Sequence, residues 1–315
     1  MGVRTAHGGG ALIRVETSPG ERVRVVKIKP KEFRVAEGET VDLARRPTLV
    51  DPFYASKKDY KKILEEHVAR LSDAQELLAA QQTHAVLLIF QGMDAAGKDG
   101  AISHVMSGVN PQGCEVFSFK QPSAEELRHD FLWRAVVRLP ERGRIGIFNR
   151  SYYEEVLVVR VHPELLEAQH LPAHARAEPG IWRHRYRSIV ELEGHLHRSG
   201  IVIVKFFLHV SADGQRVRLL ARVDDPRKNW KLSATDATER ALWPQYQKAY
   251  EEALAATSAE HAPWYVVPAD DKPNARLIIS ETILQTLEAL NLSYPTVDDR
   301  QRRELKKVKR LLSES

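Results

Sequence analysis

A glycine-rich segment with one lysine, QGMDAAGKDG, occupies positions 91–100. Within it Gly92, four further residues, and then Gly97 and Lys98 have the spacing of a phosphate-binding loop, whose backbone N–H groups surround phosphate oxygens. An apolar run precedes the segment and a helical pattern follows it, so the positive end of that helix would face the same anion. This placement disfavours the alternative, an ordinary β-to-α turn with an exposed lysine. We therefore predict a phosphate site in which Lys98 reaches the terminal phosphates as a point charge.

Two carboxylates alter the metal chemistry expected of this loop. Asp99 stands where such loops normally carry the Ser or Thr hydroxyl that binds Mg²⁺. Asp94 lies inside the loop, where a carboxylate repels phosphate unless a cation lies between the two. We predict that Asp94 supplies the metal coordination that the missing hydroxyl provides elsewhere, with a solvated loop aspartate as the alternative.

Polar residues follow a second apolar run, at 144–148, in the segment FNRSYYEE. Asn149 stands where phosphate-loop enzymes often carry an Asp that organises the metal, and Arg150 adds a planar cation with five donors. Ligands of open parallel sheets lie at the carboxyl ends of strands, so both residues are expected beside the phosphates. Glu154 and Glu155 open the next helix, where they either complement the helix dipole or take part in the site.

A third basic cluster lies late in the chain. Arg218 and Arg222 are four residues apart and share one helix face, and a Pro-interrupted segment with Lys228 and Lys231 follows. Such a segment predicts a mobile lid, over about 222–238, that closes over phosphates and excludes water from the transferred group. A surface loop with scattered charges is the alternative.

The charge balance agrees with an anionic ligand without requiring one. Lys and Arg total 47 against 42 Asp and Glu, which gives a net charge of +5 and a pI of about 9.2. Arg183, Arg185 and Arg187 add cations that would extend the basic clusters into a track if they lie beside Arg150 and the lid. A track suits a long polyanion better than a single triphosphate.

These clusters require a scaffold that brings strand ends together. Five short apolar runs are typical of buried strands in a parallel sheet: 85–90, 115–119, 144–148, 201–208 and 264–267. Helical patterns precede or separate them at 57–80, 100–108, 124–138, 181–198, 211–222, 239–257 and 273–290. Strands that alternate with helices predict an α/β fold with a doubly wound sheet.

Composition excludes several other classes of protein. With 315 residues, 43% hydrophobic and 28% charged, the chain has an ordinary globular composition, which excludes a fibrous or disordered protein. Cys114 is the only cysteine, so an internal disulfide and a multi-thiolate metal site are excluded. No apolar run has the length of a membrane helix and no signal-peptide pattern is present, so we expect a cytoplasmic protein without a membrane partner.

Six motifs in fixed order carry a family resemblance across positions 49–294, most of the chain. They are GMDAAGKDG, GVNPQGCEV, EELRHDFLWR, FNRSYYEEVLVVRVH, DPRKNWKLSATD, and ERALWPQYQKAYEEAL with HAPWYVVPAD. Together they resemble the polyphosphate kinase 2 family. The resemblance implies a P-loop kinase fold similar to thymidylate kinase, with a five-stranded parallel sheet flanked by helices and a mobile basic lid. It also implies phosphoryl transfer between inorganic polyphosphate and nucleotides with Mg²⁺, or with Mn²⁺ in its place.

The resemblance extends to one branch of the family. Asn149 and the LVVRVH ending look like the class III branch, whose members phosphorylate nucleoside monophosphates as well as diphosphates. Tyr152 departs from that branch, which has His at this position, while other branches have Trp. Because ring size and polarity vary there, we expect this side chain to pack rather than to react.

The resemblance implies roles for individual residues. Asp94, Lys98 and Arg150 would be catalytic, with Asp94 also the metal ligand. The implied phosphate- and nucleotide-binding residues are Gly92, Ala95, Ala96, Gly97, Asp99, Gly100, Asn149, Arg218, Arg222, Lys228 and Lys231. Three regions follow: an N-terminal extension at 1–50, the phosphotransferase domain at 51–295, and a basic C-terminal helix or tail at 296–315.

Expected partners are inorganic polyphosphate, adenine nucleotides with guanine nucleotides as an alternative, and further copies of the chain in a homo-oligomer. Nucleic acid is not expected, because no recognition-helix, zinc-knuckle or RNP pattern accompanies the basic residues. Two other functions stay open. One is an ATP-dependent nucleotide kinase of related fold, and the other is a polyanion-binding protein with an inactive loop, since Asn149 and Asp99 depart from the usual pattern.

Overall fold

The computed structural model describes residues 12–14, 25–176, 180–227, 229–231 and 238–314. Its strands are β1 Leu12–Arg14, β2 Val25–Lys27, β3 Ala85–Gln91, β4 Cys114–Ser118, β5 Ile145–Asn149, β6 Ile201–His209 and β7 Trp264–Pro268. Five of them form a parallel sheet in the order β4-β5-β3-β6-β7, and β1 pairs with β2 in a separate antiparallel ribbon. The five strands expected from the apolar runs are confirmed, each with bounds that agree to within one residue.

The strand β3 lies at the centre of the sheet. All of its residues are buried, and it pairs with β5 on one side and with β6 on the other. Leu87, for example, lies opposite Gly146 of β5 and Ile203 of β6. A strand that is apolar on both faces requires helices above and below it. In this doubly wound arrangement the carboxyl ends of all five strands meet along one edge of the sheet.

Helices connect and cover the strands. They are α1 Lys57–Gln81, α2 Lys98–Val105, α3 Trp133–Val136, α4 Glu154–Val161, α5 Ala173–Arg176, α6 Ile181–Arg198, α7 Ala212–Val223, α8 Trp243–Thr257, α9 Lys272–Glu288 and α10 Asp299–Ser313. The helices predicted from periodicity are confirmed, with small shifts at their ends, except for the one at 124–138.

The helix predicted over 124–138 does not form as one element. A short 3-10 turn and the single turn of α3 replace it. The carboxylate of Asp130 accepts a hydrogen bond from the backbone N–H of Leu132 at 2.9 Å, a local turn that competes with helical bonding. The ring of His129 stacks on that of Trp133, with centroids 3.9 Å apart. Local side-chain contacts therefore replace the continuous helix that the periodicity predicted.

The edge of β7 that faces away from β6 is covered by residues 28–43, here termed the N-terminal strap. The backbone N–H of Val35 donates to the carbonyl of Trp264 at 2.9 Å, and Ser258 Oγ donates to the carbonyl of Val35 at 2.7 Å. Ile28 and Val35 are buried. The strap thus satisfies backbone groups that an open edge strand would leave unpaired.

A buried ion pair lies between β6 and α6. Lys205 Nζ donates to Glu193 Oε2 at 2.5 Å, and neither side chain is more than 1% exposed. Lys205 also donates to the carbonyl of Thr257 at 2.7 Å and to the hydroxyl of Tyr153 at 3.0 Å, while the hydroxyl of Tyr152 donates to Glu193 at 2.9 Å. Burial lowers the pKa of Lys205, and the charge of Glu193 opposes that effect. Tyr152 therefore packs in the core, as predicted.

The helix α10 is exposed along its whole length. It begins with a capping box in which Asp298 and Gln301 satisfy each other's backbone N–H groups. None of the helices in the described ranges is long and apolar enough to cross a membrane.

Candidate active site

The glycine-rich loop lies between β3 and α2, at the carboxyl end of the central strand. Gly97, the residue before α2, has a φ of 107°, and Ala95 has a φ of 61°. A Cβ atom on Gly92 would lie 3.0 Å from the carbonyl oxygen of Leu208. Glycine is therefore required at Gly92, because the backbone there lies close to the Leu208 carbonyl, and at Gly97, because of its left-handed backbone conformation.

Lys98 is the first residue of α2, and its side chain is buried against the loop. Its Nζ donates to the carbonyl oxygens of Gly92 at 2.5 Å and Met93 at 3.3 Å. Burial lowers the pKa of Lys98 to about 8, and the positive charge of Arg150 adds to that effect. A phosphate in the loop would bring negative charge beside the ammonium and raise this pKa again. Lys98 is thus held where the loop would receive an anion.

Arg150 is held between two carboxylates. Its Nη2 donates to Asp94 Oδ1 at 2.8 Å and its Nη1 donates to Glu154 Oε2 at 3.2 Å. Glu154 also accepts from Gln91 Nε2 at 3.1 Å, and its charge is the largest cause of the raised pKa of Arg150. Arg150 has a φ of 63°, a left-handed conformation that costs a non-glycine residue about 1 kcal/mol or more. Of the two roles left open for Glu154, the structure favours positioning of Arg150.

Asn149 and Asp99, the two residues that depart from the usual phosphate-loop pattern, contact each other. The side-chain amide of Asn149 donates to Asp99 Oδ1 at 2.8 Å. An aspartate at position 149 would place two carboxylates at hydrogen-bond distance, where they repel. The exchange of a hydroxyl for a carboxylate at Asp99 is therefore matched by a neutral donor at Asn149.

Arg218 of α7 joins the loop to the segment that follows β7. Its Nη1 donates to the carbonyls of Ala96 at 2.8 Å and Ala95 at 3.2 Å. Its Nη2 donates to the carbonyls of Ala269 and Asp270, the latter at 3.0 Å. Burial lowers the pKa of Arg218. The sequence predicts a phosphate ligand here, whereas the structure places this guanidinium on four backbone carbonyls, two of which belong to the loop.

Gln215, a residue of α7 that sequence reasoning missed, fixes the other end of the loop. Its Nε2 donates to the backbone carbonyl of Asp94 at 3.0 Å. Its Oε1 accepts from Arg240 Nη1 at 2.8 Å, and Arg240 lies just after the predicted lid. No composition or spacing signal marks a single buried glutamine for this role.

A cleft of about 1180 Å³ runs across the sheet edge, from the end of β4, past the loop, to the start of α9. Its described lining contains two carboxylates, Asp94 and Asp99, and eight cationic side chains. The cations are Lys98, Lys120, Arg150, Arg218, Arg222, Arg227, Lys272 and Arg276. The loop follows the central strand, with two strands on each side, so the cleft extends in both directions from Lys98. The cleft therefore presents cations on both sides of the loop.

Four of these cations were not predicted as site residues. One is Arg227, which lies within the segment predicted as a lid, and the other three follow strand ends. Lys120 follows the end of β4, and Lys272 and Arg276 lie in the first turns of α9, just after β7. Each follows the carboxyl end of a parallel strand, and these ends converge at one edge of the sheet. Applied to the strands predicted from the sequence, this rule would have identified Lys120, Lys272 and Arg276 as candidate site residues.

Other predicted cations lie elsewhere. The arginines of α6 do not line the cleft: Arg185 pairs with Glu155 at 3.0 Å, and Arg187 pairs with a carboxylate on its own helix. They therefore do not extend the basic clusters into a track. Lys228 lies outside the described residues, and only the backbone of Lys231 is described.

Comparison with known proteins agrees with this geometry. A family model described as polyphosphate kinase 2 matches residues 54–295. The chain belongs to this family. Among relatives of this polyphosphate kinase 2 chain, the ADP-polyphosphate phosphotransferase of Rhodopseudomonas palustris is 60% identical over 287 residues, covering 91% of the chain and 99% of the relative. The AMP/ADP-polyphosphate phosphotransferase of Meiothermus ruber is 43% identical, covering 84% and 95%.

A solved polyphosphate kinase 2 structure has the same architecture. The enzyme from Arthrobacter aurescens TC1 matches with a TM-score of 0.80 at 40% identity, covering 91% of this chain and 97% of the other. This polyphosphate kinase 2 chain is therefore an enzyme with the P-loop kinase fold that the sequence predicted. Kinases of this family generally need a divalent metal.

Replacing Arg218 with glutamine is expected to lower kcat about a hundredfold, because small displacements of a catalytic loop cost rate of this order. The KM for polyphosphate should change little, since the guanidinium contacts loop carbonyls. Steady-state kinetics with varied polyphosphate measure both constants. Arg222→Gln on the same helix is the matched variant, because the sequence predicts a phosphate ligand at that position too. A large rise in KM at unchanged kcat would instead make Arg218 a phosphate ligand, as the sequence predicts.

Proposed function

We propose that this chain transfers the terminal phosphoryl group of inorganic polyphosphate to ADP and to AMP, reversibly and with Mg²⁺. The observation that carries this proposal is the cleft, in whose described lining eight cationic side chains lie on or around a phosphate-binding loop. A polyphosphate chain bears charge on each phosphate and needs neutralisation along its length, which matches cations on both sides of Lys98. The printed names of the two bacterial relatives support the same donor.

The residues of the cleft act mainly by positioning and by neutralising charge. Phosphoryl transfer has a loose transition state whose charge is spread over the equatorial oxygens, so Lys98 and Arg150 stabilise the transferred group directly. Arg222 would neutralise charge on the donor. The lid predicted at about 222–238, of which residues 228 and 232–237 lie outside the described part of the chain, would close over the donor and exclude water, which would otherwise compete as acceptor. The acceptor phosphate is already ionised near neutral pH, so no strong general base is required.

Asp94 is the residue that we assign to the metal. No group of three or more His, Cys, Asp or Glu in the described ranges is arranged to hold an ion, so Asp94 would act with at most one further carboxylate. Mg²⁺ suits such a site, because it keeps several waters and accepts one or two carboxylates together with phosphate oxygens. Arg150 contacts the same carboxylate at 2.8 Å and would share it with the ion. Bound there, Mg²⁺ would neutralise charge on the phosphates.

The proposal that both ADP and AMP accept the phosphoryl group is based on Asn149 and on the names of the two relatives. The Rhodopseudomonas palustris relative is named for ADP alone, and the Meiothermus ruber relative for both AMP and ADP. We include AMP because Asn149 and the LVVRVH ending resemble the class III branch. We further propose that the enzyme works in the cytoplasm as a homo-oligomer.

The test is nucleotide analysis after the purified protein is mixed with Mg²⁺, long-chain polyphosphate and AMP, without ATP. Appearance of ADP and then ATP is the expected result, and removal of Mg²⁺ by a chelator should stop it. If a parallel mixture with ADP gives product and the mixture with AMP gives none, AMP is overturned as an acceptor and polyphosphate stands as the donor.

Two further outcomes would overturn the proposal as a whole. Phosphorylation of AMP by ATP without polyphosphate would indicate an ATP-dependent nucleotide kinase. Salt-sensitive binding of polyphosphate without any transfer would indicate a polyanion-binding protein. The slope of the logarithm of its binding constant against the logarithm of salt concentration would then reflect the number of displaced counterions.

A further inference from the structure

The helix α10 has two chemically distinct faces. At about 3.6 residues per turn, Leu305, Val308 and Leu311 fall on one side, and all are exposed. The rest of the helix surface carries seven cations: Arg300, Arg302, Arg303, Lys306, Lys307, Lys309 and Arg310. Four of them flank the stripe, Arg300 and Lys307 along one edge and Arg302 and Lys309 along the other. No residue from 293 to 314 is buried. An apolar stripe beside a cationic face, both open to solvent, indicates a contact that lies outside this chain.

The cationic face is largely available for such a contact. Arg300, Arg302 and Arg310 form ion pairs with carboxylates of the same helix or its C-terminal end, all of them exposed and therefore weak. Lys306 and Lys307 have no hydrogen-bond or ion-pair partner in the described part of the chain. The helix therefore presents positive charge to any surface that approaches it.

We infer that α10 docks the enzyme on an anionic phospholipid surface, with its apolar stripe in the headgroup boundary and the flanking cations on the lipid phosphates. Short helices with this division of residues lie in the plane of a membrane interface without crossing it. The inference revises the expectation from sequence that the chain has no membrane partner. It is independent of the proposed function, because α10 does not line the cleft.

Two other occupants fit the same helix less well. A second copy of α10 packed on the stripe would bring the flanking cations Lys307 and Lys309 of both copies together, where like charges repel. A polyphosphate chain would bind the cationic face but would leave the apolar side chains in water. Only a surface that is both anionic and apolar contacts the stripe and its flanking cations at once.

The test is co-sedimentation of the full chain with phospholipid vesicles of two compositions. Binding is expected to vesicles of equal parts phosphatidylglycerol and phosphatidylcholine and not to phosphatidylcholine alone. The triple variant Lys306→Gln, Lys307→Gln, Lys309→Gln should weaken binding roughly a hundredfold. The double variant Leu305→Gln, Leu311→Gln should weaken it about tenfold or more at unchanged charge. Phosphoryl transfer from short polyphosphate should be normal in both variants, which shows that they fold.

Three outcomes would overturn the inference. The first is absence of binding to the anionic vesicles. The second is loss of vesicle binding in the charge variant with full binding in the stripe variant, which indicates electrostatic attraction alone. The third is weaker retention on immobilised polyphosphate in the charge variant without any vesicle binding, which would make α10 a polyphosphate tether.

Discussion

Replacing Lys98 with alanine is expected to lower the rate of phosphoryl transfer about a thousandfold or more, the loss typical of removing a preorganised cation that stabilises a transferred phosphoryl group. Lys98 is buried against the loop, and the cleft extends from it in both directions. No other described cation can take its position without moving the loop. The fold should survive, because the ammonium contacts only the carbonyls of Gly92 and Met93.

The measurement is the initial rate of ATP formation from polyphosphate and ADP, together with the melting temperature of the variant. Lys61→Ala, on the exposed face of α1, is the matched control and should keep full activity. Near-normal turnover of Lys98→Ala with an intact fold would remove Lys98 from the catalytic machinery. A large drop in melting temperature would show that its role is structural.

Replacing Lys205 with methionine is expected to lower the free energy of unfolding by about 3–5 kcal/mol, because it leaves a buried carboxylate without its cation. Glu193 is no more than 1% exposed and would keep only its hydrogen bonds from Tyr152 and Tyr153. Urea denaturation followed by circular dichroism measures the change.

The double variant Lys205→Met, Glu193→Gln separates the ion pair from the packing around it. Glutamine keeps an acceptor for the two tyrosine hydroxyls and removes the unpaired charge, so the double variant should recover much of the lost stability. If the double variant were as unstable as the sum of the two single variants, the cost would come from lost packing of the lysine stem and not from the charge.

The sheet was predictable from the sequence because of where it lies in the molecule. A strand covered on both faces must be apolar throughout, so Ala85–Gln91 and Ile201–His209 are visible as continuous runs. The failure at 124–138 has the opposite cause. That segment lies at the surface, and the Asp130 turn breaks a helical pattern that no buried face enforces.

The candidate site was predictable where the chain itself supplies the geometry. The loop from Gly92 to Lys98 is local, so its spacing already encodes the backbone conformation found at Gly97. The contacts of Arg218 and Gln215 were not predictable, because they join α7 to a loop more than a hundred residues earlier in the chain. Side chains that bond to backbone carbonyls leave no pattern of residue types, since every residue has a carbonyl.

During synthesis the N-terminal strap leaves the ribosome long before the strand that it covers. Val35 accepts its hydrogen bond from Ser258, 223 residues later in the chain. At a synthesis rate of roughly 5–20 residues per second, the interval between synthesis of the strap and synthesis of its partner is on the order of ten seconds or more. Closure of the β7 edge thus brings together two segments that are synthesised far apart in time. A nascent chain that stops before β7 leaves the backbone N–H of Val35 without its partner, the carbonyl of Trp264.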